Sequence, residues 1–131
     1  MAQQAIELIL MRQLAAYLSM PVFLVGADEQ LLYYNEAAEA LLGRPYGEVG
    51  QMSVKDIVRI FHVADEHGST MPWEKLPIAI AVRERRPAHG RIHYHALDGA
   101  RHSIEVTAFP LEGQAGRHLG AVAIFWEVEG E

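Results

Sequence analysis

Histidine and carboxylate side chains alternate along one stretch of the sequence in a way that could bind a metal. His93 and His95 have the same parity on a predicted strand, and Glu105 shares that parity on the next strand. Two imidazoles and one carboxylate on one strand face could ligate a divalent cation. An exposed polar strand face gives the same pattern, and because the spacing is unspecific we predict no metal site.

His102 has the opposite parity, alongside Ile104 and Val106, and is the histidine best placed to reach the interior. With Asp56 or Asp65 it could act as a general acid and base, as in a small cone-shaped α+β hydratase or isomerase. Such enzymes generally place most helices before a long curved sheet, whereas a predicted hairpin comes first here. We therefore predict no catalytic residues, and we expect His102 to be a hydrogen-bonded core histidine.

Composition excludes several classes of protein. The chain has 131 residues, which suits one domain, and no cysteine, which removes disulfides, thiolate zinc sites and a cysteine nucleophile. Lysine and arginine total 11 against 17 acidic residues, a formal charge of -6, so we expect no nucleic-acid partner. The first residues lack a basic start and a continuous apolar run, which predicts a cytoplasmic protein with no membrane span.

The N-terminal segment predicts a helix over residues 4–18. Its apolar side chains cover an arc of about 200° on a helical wheel, which is more than one core face needs. We therefore expect residues 1–18 to cover the sheet or to contact a second copy in a homodimer. The candidate dimer-interface residues are Ile6, Leu10, Leu14, Tyr17 and Leu18.

A hairpin and a capped helix follow. The apolar runs Val22–Ala27 and Leu31–Tyr34 are separated by three polar residues and predict two paired strands. Asn35 is placed to cap a helix over Glu36–Leu42, and Gly43 can end that helix in the left-handed conformation.

The middle of the chain predicts two further helices. Ser53 and Asp56 have the spacing of a capping box and indicate a short helix. Residues Pro72–Arg86 predict a longer one, whose main part begins at Pro77 because proline inside a helix costs about 3 kcal/mol. The arginines near its end suit the negative end of the helix dipole.

The last third of the chain predicts three strands. Arg91–Leu97 alternates in polarity, Asp98 and Gly99 suit a tight turn, and the next run alternates again. Residues Leu119–Val128 are apolar on both parities, which indicates a strand covered on both faces. The first strand shares this property, so we predict that the first and last strands are neighbours at the sheet centre.

Taken in order, these elements resemble a PAS domain of the sensory-box family, as in sensor histidine kinases. The likeness covers residues 18–128 and is carried by LLYYN and EAAEALLG, DEHGSTMPWEKLPIAIAVRERRP, HYHALDGARHSIEVTAFPL and GAVAIFWEV. It implies an α+β fold with a five-stranded antiparallel sheet in the order 2-1-5-4-3 and helices on one face. The N-terminal amphipathic helix would precede a single PAS domain over residues 19–131.

The resemblance implies a non-catalytic sensory domain that binds a small ligand or a protein partner and signals to an output domain in the same or another chain. Covalent flavin and coumaroyl chromophores require a cysteine, which the chain lacks. Haem-binding relatives use a histidine of the long helix, but residues 73–86 contain none, so haem would need His62 or His102 and we predict none. Glu129 replaces a threonine that often ends the PAS domains of sensor kinases.

Small residues in two predicted helices, Glu36–Leu42 and the one that begins at Pro77, could leave space for a ligand above the sheet. They could equally allow tight packing, and the alternative function is then a ligand-free homodimerisation module. Because no buried carboxylate pair faces this space, we expect any ligand to be mostly apolar. The candidate pocket residues are Ala40, Ile78, Val82, Tyr94, Ile104 and Val106.

Overall fold

The structure, a computed structural model, describes residues 6–43, 52–95, 99 and 101–128. The helices in this part are α1 (Ile6–Tyr17), α2 (Glu36–Leu42), α3 (Val54–Phe61) and α4 (Pro77–Glu84), with 3₁₀ helices at Trp73–Lys75 and Gln114–Gly116. The strands are β1 (Val22–Gly26), β2 (Leu31–Tyr34), β3 (Ala88–His95), β4 (Arg101–Glu112) and β5 (His118–Glu127). Within the described residues, none of the helices has the length and apolar character needed to cross a membrane.

The strands form one antiparallel sheet in the order β2-β1-β5-β4-β3. In the β1–β5 pair, Val22 lies opposite Ile124 and Gly26 lies opposite Gly120. The Phe125 amide donates to the Pro21 carbonyl at 3.1 Å, so the chain enters β1 beside the place where it leaves β5. The prediction that the first and last strands are central neighbours is confirmed.

The two faces of the sheet carry separate apolar clusters. The inner face packs against α2, α3 and α4 and forms the main core. On the outer face Val22, Leu24 and Val122 are buried, and Met11 of α1 packs against them. Trp126 is 37% exposed, so the two-sided burial predicted to extend to residue 128 ends earlier. The centroid of its ring is 6.2 Å from that of the exposed His89 of β3. Trp126 therefore lies outside the cluster that α1 covers.

Local sequence signals fix the ends of the short helices. The Asn35 side chain accepts from the Ala38 amide at the start of α2, and Gly43 ends that helix with φ of 91°. At α3, Ser53 and Asp56 form both hydrogen bonds of the predicted capping box. Pro77 is the first residue of α4, as predicted.

The predicted helix over residues 72–86 is too long at both ends. Leu76 has extended backbone angles, because a residue that precedes proline is disfavoured in the helical region, and it separates α4 from the 3₁₀ helix. At the other end Arg85 is left-handed, with φ of 55°, and stops the helix.

Other predicted boundaries also shift: β1 ends at Gly26 rather than Ala27, and β5 spans His118–Glu127 rather than Leu119–Val128. Strand β3 begins at Ala88 rather than Arg91, because Ala88 pairs with Ala108 and continues the alternation backwards. Residues 96–98, including the predicted turn residue Asp98, lie outside the described residues, and Gly99 is left-handed with φ of 90°. Helix α1 ends at Tyr17, one residue before the predicted end, and residues 4 and 5 lie outside the described part.

The capping box makes a testable contribution to stability. Hydrogen bonds from the Ser53 amide and the Arg59 guanidinium hold the pKa of Asp56 below its usual value of 3.8. A carboxyl with a lowered folded pKa stabilises the fold above its unfolded pKa and loses that contribution as pH falls through the folded value. We expect Asp56→Asn to be less stable than wild type at neutral pH, and the gap to close below pH 3.8. Urea unfolding from neutral pH to below pH 3.8 measures it, and a gap that does not narrow over this range would contradict the expectation.

Candidate ligand cavity

A cavity of about 60 Å³ lies between the inner face of the sheet and the helices. The residues around it are all apolar or aromatic, and they come from α2, α3, α4, from strands β1, β3, β4 and β5, and from the connections that hold Val63 and Leu76. They are Phe23, Leu42, Ile57, Phe61, Val63, Leu76, Pro77, Ile78, Ile92, Tyr94, Ile104, Val106, Ala123 and Phe125. An apolar cavity of about 150 Å³ holds one benzene molecule, so this space suits only a few non-hydrogen atoms unless the wall moves.

Aromatic rings form much of the wall. Phe23 packs edge-to-face on Phe125 at 5.5 Å and stacks on Tyr34 at 5.3 Å. Phe61 of α3 contacts the ring of Tyr94 edge-on at 6.3 Å. The Tyr94 hydroxyl donates to the Leu41 carbonyl at 3.2 Å, so its polar atom is directed to α2. The wall therefore offers apolar contact and ring faces to an occupant.

Four of the six predicted pocket residues lie at this wall: Ile78, Tyr94, Ile104 and Val106. Val82 is buried in the core but is not among the lining residues. It lies one turn further along α4, where its carbonyl is 2.7 Å from Nε2 of His118. Ala40 is exposed, because α2 buries Ala38 and Leu42 and turns the residue between them outward.

Sequence reasoning predicted Tyr94 but missed the three phenylalanines of the wall, Phe23, Phe61 and Phe125. Phe23 and Phe125 lie on neighbouring strands, and Phe61 ends α3. Strand parity contained part of the information. Phe125 lies on the same face of its strand as Ala121 and Ala123, and Val122 lies on the opposite face. The sequence left open which parity faces inward, and only the position of the helices decides it.

A sequence profile of the PAS fold matches residues 17–131, which is most of the chain. The chain belongs to the PAS family. No curated protein matches it in a sequence comparison. Among solved structures, the PAS domain of Bordetella pertussis BvgS has a TM-score of 0.64 at 14% identity, covering 95% of this chain and 87% of that one.

Two other solved PAS-like structures have the same fold. The PAS domain of nitrogen regulation protein NR(II) from Vibrio parahaemolyticus has a TM-score of 0.64 at 15% identity, covering 91% of this chain and 98% of that one. The Rhodobacter sphaeroides LOV protein has a TM-score of 0.74 at 13% identity, covering 95% of this chain and 69% of that one. At these identities the likeness concerns the fold.

The histidines of this PAS domain lie away from the cavity. Neither His62 nor His102, the two considered for haem, is among the lining residues. His62 ends α3 in a left-handed conformation and contacts the ring of His95 at 6.0 Å. His102 stacks on Tyr94 and lies beside the carboxylate of Glu127.

The predicted parity of the possible metal ligands is correct, but each side chain has a different neighbour. His93 lies 2.6 Å from the Ser103 hydroxyl, and His95 contacts His62. Glu105 accepts from Arg91 at 2.7 Å, and this hydrogen bond is the main reason that its pKa is lowered. Across the described part of the chain, no group of three such side chains could hold a metal ion.

The acid-base pair considered for a hydratase is not assembled. His102 has Glu127 as its carboxylate neighbour, at 2.5 Å. Asp56 is occupied in the capping box, and Asp65 accepts from the amides of His67 and Ser69 within its own turn. Both aspartates that the sequence offered as acid-base partners of His102 therefore form local structural hydrogen bonds instead.

The apolar arc of α1 is divided between two environments. Met11 faces the sheet, whereas Ile6 is 65%, Leu10 56%, Leu14 52% and Tyr17 88% exposed. Leu18, the last of the predicted dimer-interface residues, is 38% exposed. One helix thus covers the outer face of the sheet and presents a second apolar face outward.

Proposed function

We propose that this PAS domain is a non-catalytic sensory domain that binds a small apolar molecule in its cavity and passes the resulting change to a linked output domain. The observation that carries the proposal is the cavity of about 60 Å³ that apolar and aromatic residues line within the main core. Empty apolar cavities of this kind stay dry and accept apolar guests.

Chemistry of the wall defines the class of ligand. The hydroxyl of Tyr94 already donates to Leu41, so a polar ligand would lose its hydrogen bonds to water and gain few in return. A few carbon atoms fit the space as it stands, and a larger hydrophobic molecule requires Phe61 or Leu42 to move. With no cysteine and no histidine at the wall, we propose that the ligand is held without a covalent bond or an iron ligand.

Filling the cavity tests this proposal. We expect Ala123→Leu, which adds three carbon atoms at the wall, to abolish binding of xenon, a smaller apolar probe than benzene, because the added atoms occupy the space that the probe would take. Val122→Ile is the matched control, since it enlarges the neighbouring residue on the outer face of β5. Amide chemical shifts of labelled protein measure binding, and native mass spectrometry before and after solvent extraction detects a retained compound. Absence of xenon-induced shifts at the wall in wild type, with no retained compound, would reject ligand binding.

The exposed face of α1 supports the alternative function, a homodimerisation module. Four large apolar side chains on one short helix are more than half exposed in the single chain: Ile6, Leu10, Leu14 and Tyr17. A contiguous apolar face of this kind is typical of a surface that a partner covers. A second copy would bring two such faces together around a twofold axis.

Charge on this face should weaken a dimer. We expect the double substitution Leu10→Glu and Leu14→Glu to raise the dimer dissociation constant at least tenfold, a loss of about 1.4 kcal/mol, because it buries carboxylates at the interface. Both residues are exposed in the single chain, so the fold should be retained. Lys75→Glu makes the same change of two charge units at an exposed position away from α1 and is the control. Light scattering over a concentration series measures the mass, and an equal mass for all three proteins would reject this interface.

A further inference from the structure

We propose that Tyr94, His102 and Glu127 form a relay that carries a displacement of the cavity wall to the C-terminal end of β5. The three side chains lie at one end of the inner face of the sheet, on β3, β4 and β5 in turn. The relay rests on the proposed function, because an occupied cavity is its input.

The first member of the relay forms part of the cavity wall. Tyr94 is 3% exposed, lines the cavity and contacts Phe61 edge-on at 6.3 Å. Its hydroxyl holds the Leu41 carbonyl near the end of α2, and the next residue, Leu42, also lines the cavity. An occupant that pushes on Phe61 or Leu42 therefore moves the ring of Tyr94.

A stacked pair of rings makes the second connection. Tyr94 and His102 are directly opposite each other in the β3–β4 register. Their ring centroids are 5.2 Å apart and their planes differ by 22°. Because the two rings form an offset stack, a tilt of the tyrosine either turns the imidazole or breaks the stack.

The third connection reaches the end of β5. Nδ1 of His102 lies 2.5 Å from Oε2 of Glu127, the last residue of that strand. The next residue of β4, Ser103, accepts from the Val128 amide through its carbonyl at 2.9 Å. Residues 102 and 103 therefore hold both the side chain of Glu127 and the backbone that follows it.

A competing route runs along the backbone of β5, since Phe125 lines the cavity two residues before Glu127. The two routes differ in their dependence on His102. The backbone route does not need the imidazole, whereas the relay requires it to bond Glu127 and to stack on Tyr94. A substitution that removes the bond from residue 102 to Glu127 but keeps an aromatic ring beside Tyr94 distinguishes the two routes.

The test uses a perturbation of the wall that needs no ligand. Phe61→Leu shortens the side chain next to Tyr94 in the full chain, and amide chemical shifts at Glu127 and Val128 measure the response. We expect Phe61→Leu to shift both amides, and His102→Phe to remove most of that shift, because phenylalanine can stack but cannot bond the carboxylate. His93→Phe is the matched control, since His93 lies on the outer face and bonds Ser103 instead. If Phe61→Leu does not fold, Tyr94→Phe, which releases Leu41, replaces it as the perturbation.

Each outcome decides for or against the relay. Loss of the shift in the His102 background, with retention in the His93 background, supports it. An equal shift in both backgrounds assigns transmission to the β5 backbone, and no shift at Glu127 or Val128 in any background overturns coupling at this end of the sheet. The proposed function fails separately, when xenon gives no shifts at the cavity wall of wild type.

Discussion

Replacing Gly120 by alanine is expected to destabilise the domain by more than about 3 kcal/mol, a large share of the about 5–15 kcal/mol by which native domains are stable. Gly120 has φ of 147°, and a Cβ atom there would lie 2.0 Å from the carbonyl oxygen of Val25. Real atoms do not approach so closely, and the obstacle is backbone rather than a flexible side chain. Relief requires β1 and β5 to separate, which breaks the central pair of the sheet.

Two other glycines provide the controls. Gly68 also has positive φ, of 83°, but none of the described atoms lies within 4 Å of its Cβ position, so Gly68→Ala carries only the backbone strain of about 1–2 kcal/mol. At Gly90 a Cβ atom would make ordinary contact with Pro77 at 3.6 Å, and Gly90→Ala should be close to neutral. Urea unfolding followed by circular dichroism ranks the three. If Gly120→Ala costs no more than Gly68→Ala, the close approach of β1 and β5 is wrong.

Asn35→Ala is expected to cost about 3 kcal/mol, well above the loss of a helix cap alone. Asn35 is fully buried, and its oxygen accepts from the amides of Val22 at 3.0 Å and Ala38 at 3.1 Å. Its nitrogen donates to the Met20 carbonyl at 2.8 Å. Alanine removes these bonds together and leaves the buried Val22 amide without this partner.

Ser53→Ala is the matched control for Asn35, because Ser53 also caps a helix through one side-chain oxygen. Its loss should cost about 1 kcal/mol, the usual value for a cap. Free energies of unfolding from urea titrations compare the two variants. Equal losses would mean that the bonds from Asn35 to Met20 and Val22 contribute little to stability.

Much of the fold followed from local signals. Asn35, Ser53 and Pro77 each begin a helix at the predicted residue, because capping and proline geometry depend on a few neighbouring atoms. The two-sided apolar character of β1 and β5 placed them together, because only central strands are covered on both faces. These signals are local or periodic, and sequence carries them directly.

The candidate site was only partly predictable, because its geometry depends on how elements far apart in sequence meet. Ala40 and Val82 lie on helices whose rotation about their own axes decides what faces the cavity, and composition does not set that rotation. Gly120 shows the same limit. Nothing in the neighbouring sequence explains a glycine inside this apolar strand, and the reason is seen only when the backbone of Val25 is placed beside it. The pairing of His102 with Glu127 joins residues 25 apart, through strand register alone.

The hydrogen bond between the Phe125 amide and the Pro21 carbonyl has a mechanical meaning. It continues the β1–β5 ladder by one residue beyond the pair of Val22 and Ile124, so the segment that enters β1 is tied to β5 through the same backbone ladder. A force applied to either terminal segment therefore acts first on the central strand pair of the sheet.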